Sequence, residues 1–174
     1  YRSQLICNVM LNKEPLQRSQ WCYFGDKNLL FSRLSNPAYF GPDCVPPHKG
    51  GLCLEVTCQY QDDLWKDPEK QIPRLLKELE QVKVIDGSFK ILDTRLEKIR
   101  DAYPIYSLDY IDRLNSLEKE CSKFKNLELL GRTGRFWYNN LDHSIENSLS
   151  TAANYLLKLG TLSTQGESVL KEVN

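Results

Sequence analysis

Strict alternation of apolar and polar residues is the feature that most limits what this chain can fold into. In LCLEVTCQY, residues 52–60, every second residue is apolar, and the opening run places Leu5, Cys7, Val9 and Leu11 on one face. Such alternation predicts strands with one buried and one polar face. Further extended segments are predicted at 21–26, 29–35 and 89–106. The lengths of the intervening turns favour antiparallel pairing.

Three amphipathic helices follow from apolar residues at helical spacing. One stripe runs from Ile72 to Val82 after an Asp67-Pro68 start, with Pro73 expected to delay the helix. A second runs from Ile111 to Phe124, and a third from Ile145 to Leu159, where Gly160 would close it. Segment 36–51 is rich in proline and glycine and is predicted to be a long surface loop. The predicted fold is α+β, a mainly antiparallel mixed sheet of five or six strands with packed helices.

Composition narrows the functional classes. The 174 residues are 41% hydrophobic and 26% charged, which is typical of a globular domain. Because 23 basic and 23 acidic residues cancel, neither nucleic acid nor a membrane surface is expected as a partner. No stretch is apolar enough to span a membrane and no signal peptide is recognisable, so a cytoplasmic protein is expected. The abrupt start at Tyr1 suggests a fragment.

The six cysteines lack the spacing of a metal site, since Cys53 and Cys58 should point to opposite faces of one strand. Reduced thiols are therefore expected. The two histidines, His48 and His143, lie too far apart in the sequence pattern to indicate a triad or a metal cluster. No catalytic residue can be assigned from these patterns, and no metal is expected.

The segment GRTGRFWYNNLDHSI, residues 131–145, is predicted to join a strand at 126–130 to the third helix. Glycines allow close approach of the backbone, and the N–H groups at a helix start suit an electron-rich carbonyl or a phosphate. Asn139, Asn140 or Asp142 could cap the helix. A plain strand-to-helix connection with surface arginines explains the same residues.

Four blocks of the sequence resemble a known superfamily. They are YRSQLICNVML, LLFSRLSNPAYF, DAYPIYSLD and ELLGRTGRFWYNNLDHSI, in this order along residues 1–160. They are similar to the C-terminal half of flavoproteins of the amine oxidase and protoporphyrinogen oxidase superfamily, and in particular to UDP-galactopyranose mutases. The resemblance implies a substrate-binding domain at 1–125, a returning strand and helix of the FAD-binding domain at 126–160, and a tail at 161–174.

The cofactor implied by this resemblance is FAD. The residues that would line the flavin are Gly131, Arg132, Asn140, Leu141 and Asp142. A helix N-terminus aimed at the flavin carbonyl region would stabilise a reduced, anionic flavin, which gives the expected arrangement a physical reason.

The substrate implied is a nucleotide sugar such as UDP-galactose. By resemblance, Arg33 would bind the diphosphate, and Tyr103 and Tyr138 would shape the sugar pocket. Arginine suits diphosphate because its rigid fork makes paired hydrogen bonds to phosphate oxygens. From the residues alone, Arg33 could equally be a surface arginine on an edge strand, and the tyrosines could be core residues. The implied activity is pyranose-to-furanose isomerisation without net redox, in polysaccharide or lipopolysaccharide biosynthesis.

Two departures leave other readings open. The mutases commonly have Tyr-x-Asp where this chain has Tyr138, Asn139 and Asn140. The chain also lacks the G-x-G-x-x-G fingerprint that would hold the adenosine diphosphate of FAD, so the N-terminal FAD-binding half is expected to be missing. The chain alone should neither retain FAD nor turn over substrate. An amine-oxidase-like oxidoreductase and a non-catalytic binding module remain alternatives.

Overall fold

A computed structural model describes residues 1–158 and divides the chain into two compact units, Tyr1–Tyr103 and Pro104–Asn174. The predicted functional division at residue 125 does not coincide with this boundary, and it stays a prediction because compactness does not assign a segment to a flavin domain. The predicted closure at Gly160 and the tail at 161–174 lie outside the described residues.

The first unit contains a five-stranded antiparallel sheet, which confirms the predicted fold class. The sheet order is β2-β3-β4-β1-β5. The strands are β1 (Arg2–Leu11), β2 (Trp21–Tyr23), β3 (Arg33–Ser35), β4 (Gly50–Cys58) and β5 (Ile91–Tyr103). Strand β1 lies between β4 and β5, and pairs with both over nearly its whole length. The predicted strands at 21–26 and 29–35 shorten to three residues each because only these residues pair.

The core lies on one face of this sheet, here called the core face. Leu5, Cys7, Val9 and Leu11 point into it from β1, as their alternation predicts. The matching residues of β4 and Leu34 of β3 complete the sheet side of the core. Glycine is required at position 50, the first residue of β4, because a Cβ there would lie 2.3 Å from the carbonyl oxygen of Lys13.

Helices cover the core face after β4. A short helix, α1 (Asp63–Lys66), is followed by one 3-10 turn at Pro68–Gln71 and by α2 (Ile72–Gln81). Pro73 lies in the first turn of α2, where a missing N–H costs nothing, so the helix begins later than the Asp67-Pro68 signal alone would place it. Leu75 and Leu79 of α2 are fully buried in the core.

The predicted loop at 36–51 is partly ordered into elements. It contains 3-10 turns at Pro37–Tyr39 and Pro42–Cys44. The side chain of Asn36 caps the first turn by accepting a hydrogen bond from the N–H of Ala38. Gly50 and Gly51 belong to β4 because they pair with Leu11 and Met10. The predicted surface loop therefore contains two short 3-10 turns and ends before Gly50, where β4 begins.

The second unit is helical in its described part, with α3 (Tyr110–Cys121), α4 (Gly131–Gly134) and α5 (Leu141–Lys158). The strand predicted at 126–130 is not formed; these residues lead into the single turn α4. A strand needs a partner for its backbone groups, and the described part of this unit contains no other strand with which it could pair. No helix among residues 1–158 has the length and apolar character needed to cross a bilayer.

Candidate functional site

The face of the sheet opposite the core carries polar and aromatic side chains, and we call it the open face. Strand register places Tyr23 opposite Arg33 and Arg33 opposite Glu55. Strand β1 pairs with the other edge of β4, and there Gln4 of β1 lies opposite Thr57 of β4. Because directly opposite residues of an antiparallel pair share a face, the alternation that builds the core also gathers these polar groups.

Four of these residues form a connected hydrogen-bond network, the Arg33 cluster. Arg33 donates through Nε to Glu55 Oε1 at 2.6 Å and through Nη2 to the same oxygen. It donates through Nη1 to the hydroxyl of Tyr23 at 3.2 Å. Gln4 donates through Nε2 to Glu55 Oε2 at 2.6 Å. Glu55 is therefore held on both oxygens, and it is only 7% exposed.

The network fixes the charge and orientation of the guanidinium. Partial burial by itself would lower the pKa of Arg33, but the hydrogen bonds to Tyr23 and Glu55 and the charge of Glu55 raise the pKa above its ordinary value. An arginine has five N–H donors. Three of them are used by Glu55 and Tyr23 among the described residues, which leaves two N–H groups for a ligand.

Tyr103 stands at the end of β5, where it pairs with Arg2. Its phenol lies near enough to Arg33 to contribute to the raised pKa of the arginine. Tyr103 is half-buried rather than part of the core. The structure thus brings together two residues that the sequence assigned to substrate binding, although they are far apart in the chain.

Glu55 and Gln4 were missed by sequence reasoning. A signal for Glu55 was present, because it is the one charged residue in the alternating run 52–60 and lies on the side opposite its apolar residues. The alternation assigns such a position to solvent, whereas the structure buries it beneath Arg33. Only the register of β1, β3 and β4 reveals that the partners of this carboxylate lie on different strands.

In the second unit, the Gly-rich turn places Arg132 against Tyr138. The guanidinium lies over the Tyr138 ring, 4.2 Å from its centroid, and Arg132 Nη1 donates to the carbonyl oxygen of Asn139 at 3.4 Å. Gly131 has a φ of +69°, a left-handed conformation that favours glycine. The turn is therefore a defined local structure that carries two of the predicted site residues together.

Tyr138 is not a core residue. It is 51% exposed, and its backbone N–H donates to the hydroxyl of Tyr106 at 2.8 Å. The same hydroxyl donates to the carbonyl oxygen of Phe136 at 3.3 Å. These bonds hold the turn between α4 and α5, so the exposed ring of Tyr138 is presented on a fixed backbone.

The start of α5 supplies hydrogen-bond donors. Asn140 accepts the N–H of Ser144 at 3.2 Å, which makes it the residue from which the helix begins. Leu141 and Asp142 follow in the first turn, and both are exposed. First-turn N–H groups have no partner inside a helix. The amide nitrogen Nδ2 of Asn139 is also buried without a hydrogen-bond partner among the described residues.

These donors fit the chemistry of a flavin. The pyrimidine ring of a flavin presents carbonyl oxygens, and an N-terminal helix turn with an unpaired amide donor beside it can satisfy such acceptors. By contrast, no group of three His, Cys, Asp or Glu side chains in residues 1–158 is arranged to hold a metal ion. All six cysteines are free, and Cys53 and Cys58 lie on opposite faces of β4 as predicted.

The fold of this chain is similar to that of two solved structures whose names belong to the superfamily that the four sequence blocks resemble. It is similar to the structure of a reduced UDP-galactopyranose mutase, with a TM-score of 0.77 and 20% identity over 94% of this chain. It is also similar to a protein from Exiguobacterium sp. 255-15 described as a protoporphyrinogen oxidase, with a TM-score of 0.54 and 13% identity over 75% of this chain. The resemblance expected from the sequence is thus confirmed at the level of the fold.

The chain spans 35% of the mutase chain and 30% of the Exiguobacterium chain. No family model matches the sequence. The curated proteins likewise contain no significant match to it.

Proposed function

We propose that this chain is the substrate-side part of a flavoprotein that acts on a nucleotide sugar, in the manner of a UDP-galactopyranose mutase. In this proposal Arg33 binds the diphosphate, and Tyr103 and Tyr138 contact the sugar. The flavin of the complete protein is lined by Gly131, Arg132, Asn140, Leu141 and Asp142. The observation that carries the proposal is the Arg33 cluster on the open face of the sheet, in a chain whose fold is similar to part of the mutase.

The geometry of Arg33 supports a phosphate-binding role. A surface arginine would be mobile, whereas Arg33 is fixed by Glu55 and by Tyr23, so binding a ligand costs little further side-chain entropy. Its two remaining N–H groups suit paired hydrogen bonds to phosphate oxygens. Since Glu55 neutralises much of the charge, the proposed contribution is orientation more than long-range attraction.

The exposed apolar surface of the second unit supports the proposal that this chain is part of a larger protein. In residues 104–157 no residue is buried, and large apolar side chains such as Leu108, Leu117 and Phe124 are exposed. Helices that bury none of their residues over 104–157 gain little stability from a core of their own. We propose that it packs against the FAD-binding half of the complete protein. This chain lacks the G-x-G-x-x-G fingerprint of such a half.

The proposed flavin contacts are those of the α5 start. When bound, FAD supplies either a nucleophilic nitrogen for sugar isomerisation or a hydride acceptor for oxidation. The residues of this chain would hold and polarise the ring through the N–H groups of Leu141 and Asp142 and the amide of Asn139. Arg132, fixed over Tyr138, would place positive charge beside the same turn.

The proposal is tested by titrating the 174-residue chain with UDP while observing the Arg33 Nε–H signal by NMR. That N–H is bonded to Glu55 and should give a signal that exchanges slowly with water. UDP should shift it, and Arg33→Lys should weaken UDP binding about tenfold, because lysine cannot keep the fork toward both Glu55 and a phosphate.

Arg95→Lys is the matched control. Arg95 is on the open face opposite Asn8, three strands from Arg33 and therefore roughly 14 Å away. Its substitution should leave UDP binding unchanged. The proposal fails if UDP leaves the Arg33 signal in place, or if both arginine variants weaken binding equally. In the complete protein, sugar isomerisation without net oxidation would support a mutase, and substrate oxidation would support the oxidoreductase alternative.

A further inference from the structure

An aromatic pair lies at the corner of the open face next to the Arg33 cluster. The rings of Trp21 and Phe40 are stacked, with centroids 5.7 Å apart and an angle of 24° between their planes. Both are large apolar side chains that remain exposed, at 47% for Trp21 and 55% for Phe40. A stacked pair that is not covered by the core leaves flat π-surface in contact with water.

The pair is held by its backbone surroundings. Trp21 belongs to β2, and Phe40 follows directly after the 3-10 turn Pro37–Tyr39. The carbonyl oxygen of Gln20 accepts the N–H of Asn36 at 2.8 Å, and the side chain of Gln20 donates to the carbonyl oxygen of Tyr39 at 3.2 Å. These bonds join the two segments that carry the rings, so the pair is preorganised.

Strand register sets the pair beside the arginine. Trp21 lies opposite Ser35 and Tyr23 lies opposite Arg33, so Trp21 and Arg33 are diagonal neighbours on the open face. Diagonal neighbours in an antiparallel pair are roughly 7–8 Å apart. A flat apolar surface and a fork of N–H donors at this separation match the two ends of a nucleotide, a planar base and its phosphates.

We propose that Trp21 and Phe40 form a stacking platform for the base of a nucleoside diphosphate whose phosphates are bound by Arg33. This inference rests on the proposed function and extends it by assigning the recognition of the base. Stacking on an aromatic ring uses the π-face that every base has, and typically strengthens binding by about tenfold or more per base. Arg33 supplies the charged end, which an apolar protein partner would not need.

The test compares UDP with inorganic pyrophosphate, using the 174-residue chain and the variant Trp21→Leu. Loss of the platform should weaken UDP binding about tenfold and leave pyrophosphate binding within about twofold of its original value. Phe40→Leu should act in the same direction. The control is Trp65→Phe, because Trp65 contacts Tyr60 and Lys98, away from this corner, and its substitution should change neither affinity.

A second measurement does not depend on removing Trp21. In a variant with Trp65→Phe and Trp137→Phe, Trp21 is the one remaining tryptophan, since the chain has three. UDP should quench its fluorescence, and pyrophosphate should not. If Trp21→Leu leaves UDP affinity unchanged while Arg33→Lys weakens UDP binding about tenfold, the platform is wrong and the proposed function stands. If neither UDP nor pyrophosphate binds the original chain, both proposals are wrong.

Discussion

Removing Arg33 should destabilise the first unit because it leaves Glu55 as a buried carboxylate without its cation. In Arg33→Met the aliphatic stem is kept, and Glu55 retains only the hydrogen bond from Gln4. Breaking a fully buried ion pair costs about 3–5 kcal/mol. The Arg33 side chain is 29% exposed and water can reach the gap, so we expect a smaller loss of about 2 kcal/mol in the free energy of unfolding.

The double variant Arg33→Met/Glu55→Gln should be more stable than Arg33→Met alone. The amide keeps the shape of the side chain but removes the unpaired buried charge, so about half of the loss should be recovered, roughly 1 kcal/mol. Urea unfolding followed by tryptophan fluorescence measures this, in a Trp137→Phe background so that Trp21 and Trp65 report only the first unit.

Lys70→Met is the matched control, because Lys70 pairs with Asp67 in the same unit with both side chains exposed. It should give no measurable change in the urea midpoint. The single variant Glu55→Gln completes the comparison. A double variant whose loss equals the sum of the losses of Arg33→Met and Glu55→Gln would refute the reasoning, since it would show that Glu55 and Arg33 are not energetically coupled.

Four further outcomes are expected. Gly50→Ala should lower the free energy of unfolding by about 3 kcal/mol, measured by thermal denaturation, because its Cβ would meet the backbone of Lys13; Gly25→Ala, with open space around it, should be nearly neutral. Burial raises the pKa of Cys7 and Cys53 to about 11, so mass spectrometry should show maleimide labelling that is slow at neutral pH and accelerates only as the pH approaches 11. Because the pKa of these thiols is higher in the folded chain than in the unfolded chain, they add to the free energy of unfolding at pH values below about 9. This contribution is lost as the pH rises through about 11. The purified chain should show no visible flavin absorbance, since it lacks the dinucleotide fingerprint; a yellow preparation would contradict this.

Some features of the site were predicted in part by the sequence and completed by the structure. The sequence blocks singled out Arg33 and Tyr103, and the structure places both in the first unit with Tyr103 near enough to influence Arg33. Arg132 and Tyr138 were assigned to different ligands by resemblance, yet they contact each other directly. Their assignments as ligand-binding residues stay predictions, because a contact between two side chains does not identify what either of them binds.

The sequence by itself determined the strands of the core and the helical stripes. Alternation in β1 and β4 and the 3.6-residue spacing of α2 are local patterns, and each needs only one buried surface to be satisfied. Tertiary structure decided which polar residues meet. Gln4 and Glu55 are 51 positions apart, and only the register of β1 against β4 brings them together. Tertiary structure also decided that residues 126–130 do not form a strand, because a strand needs a neighbouring strand to pair with its backbone N–H and C=O groups.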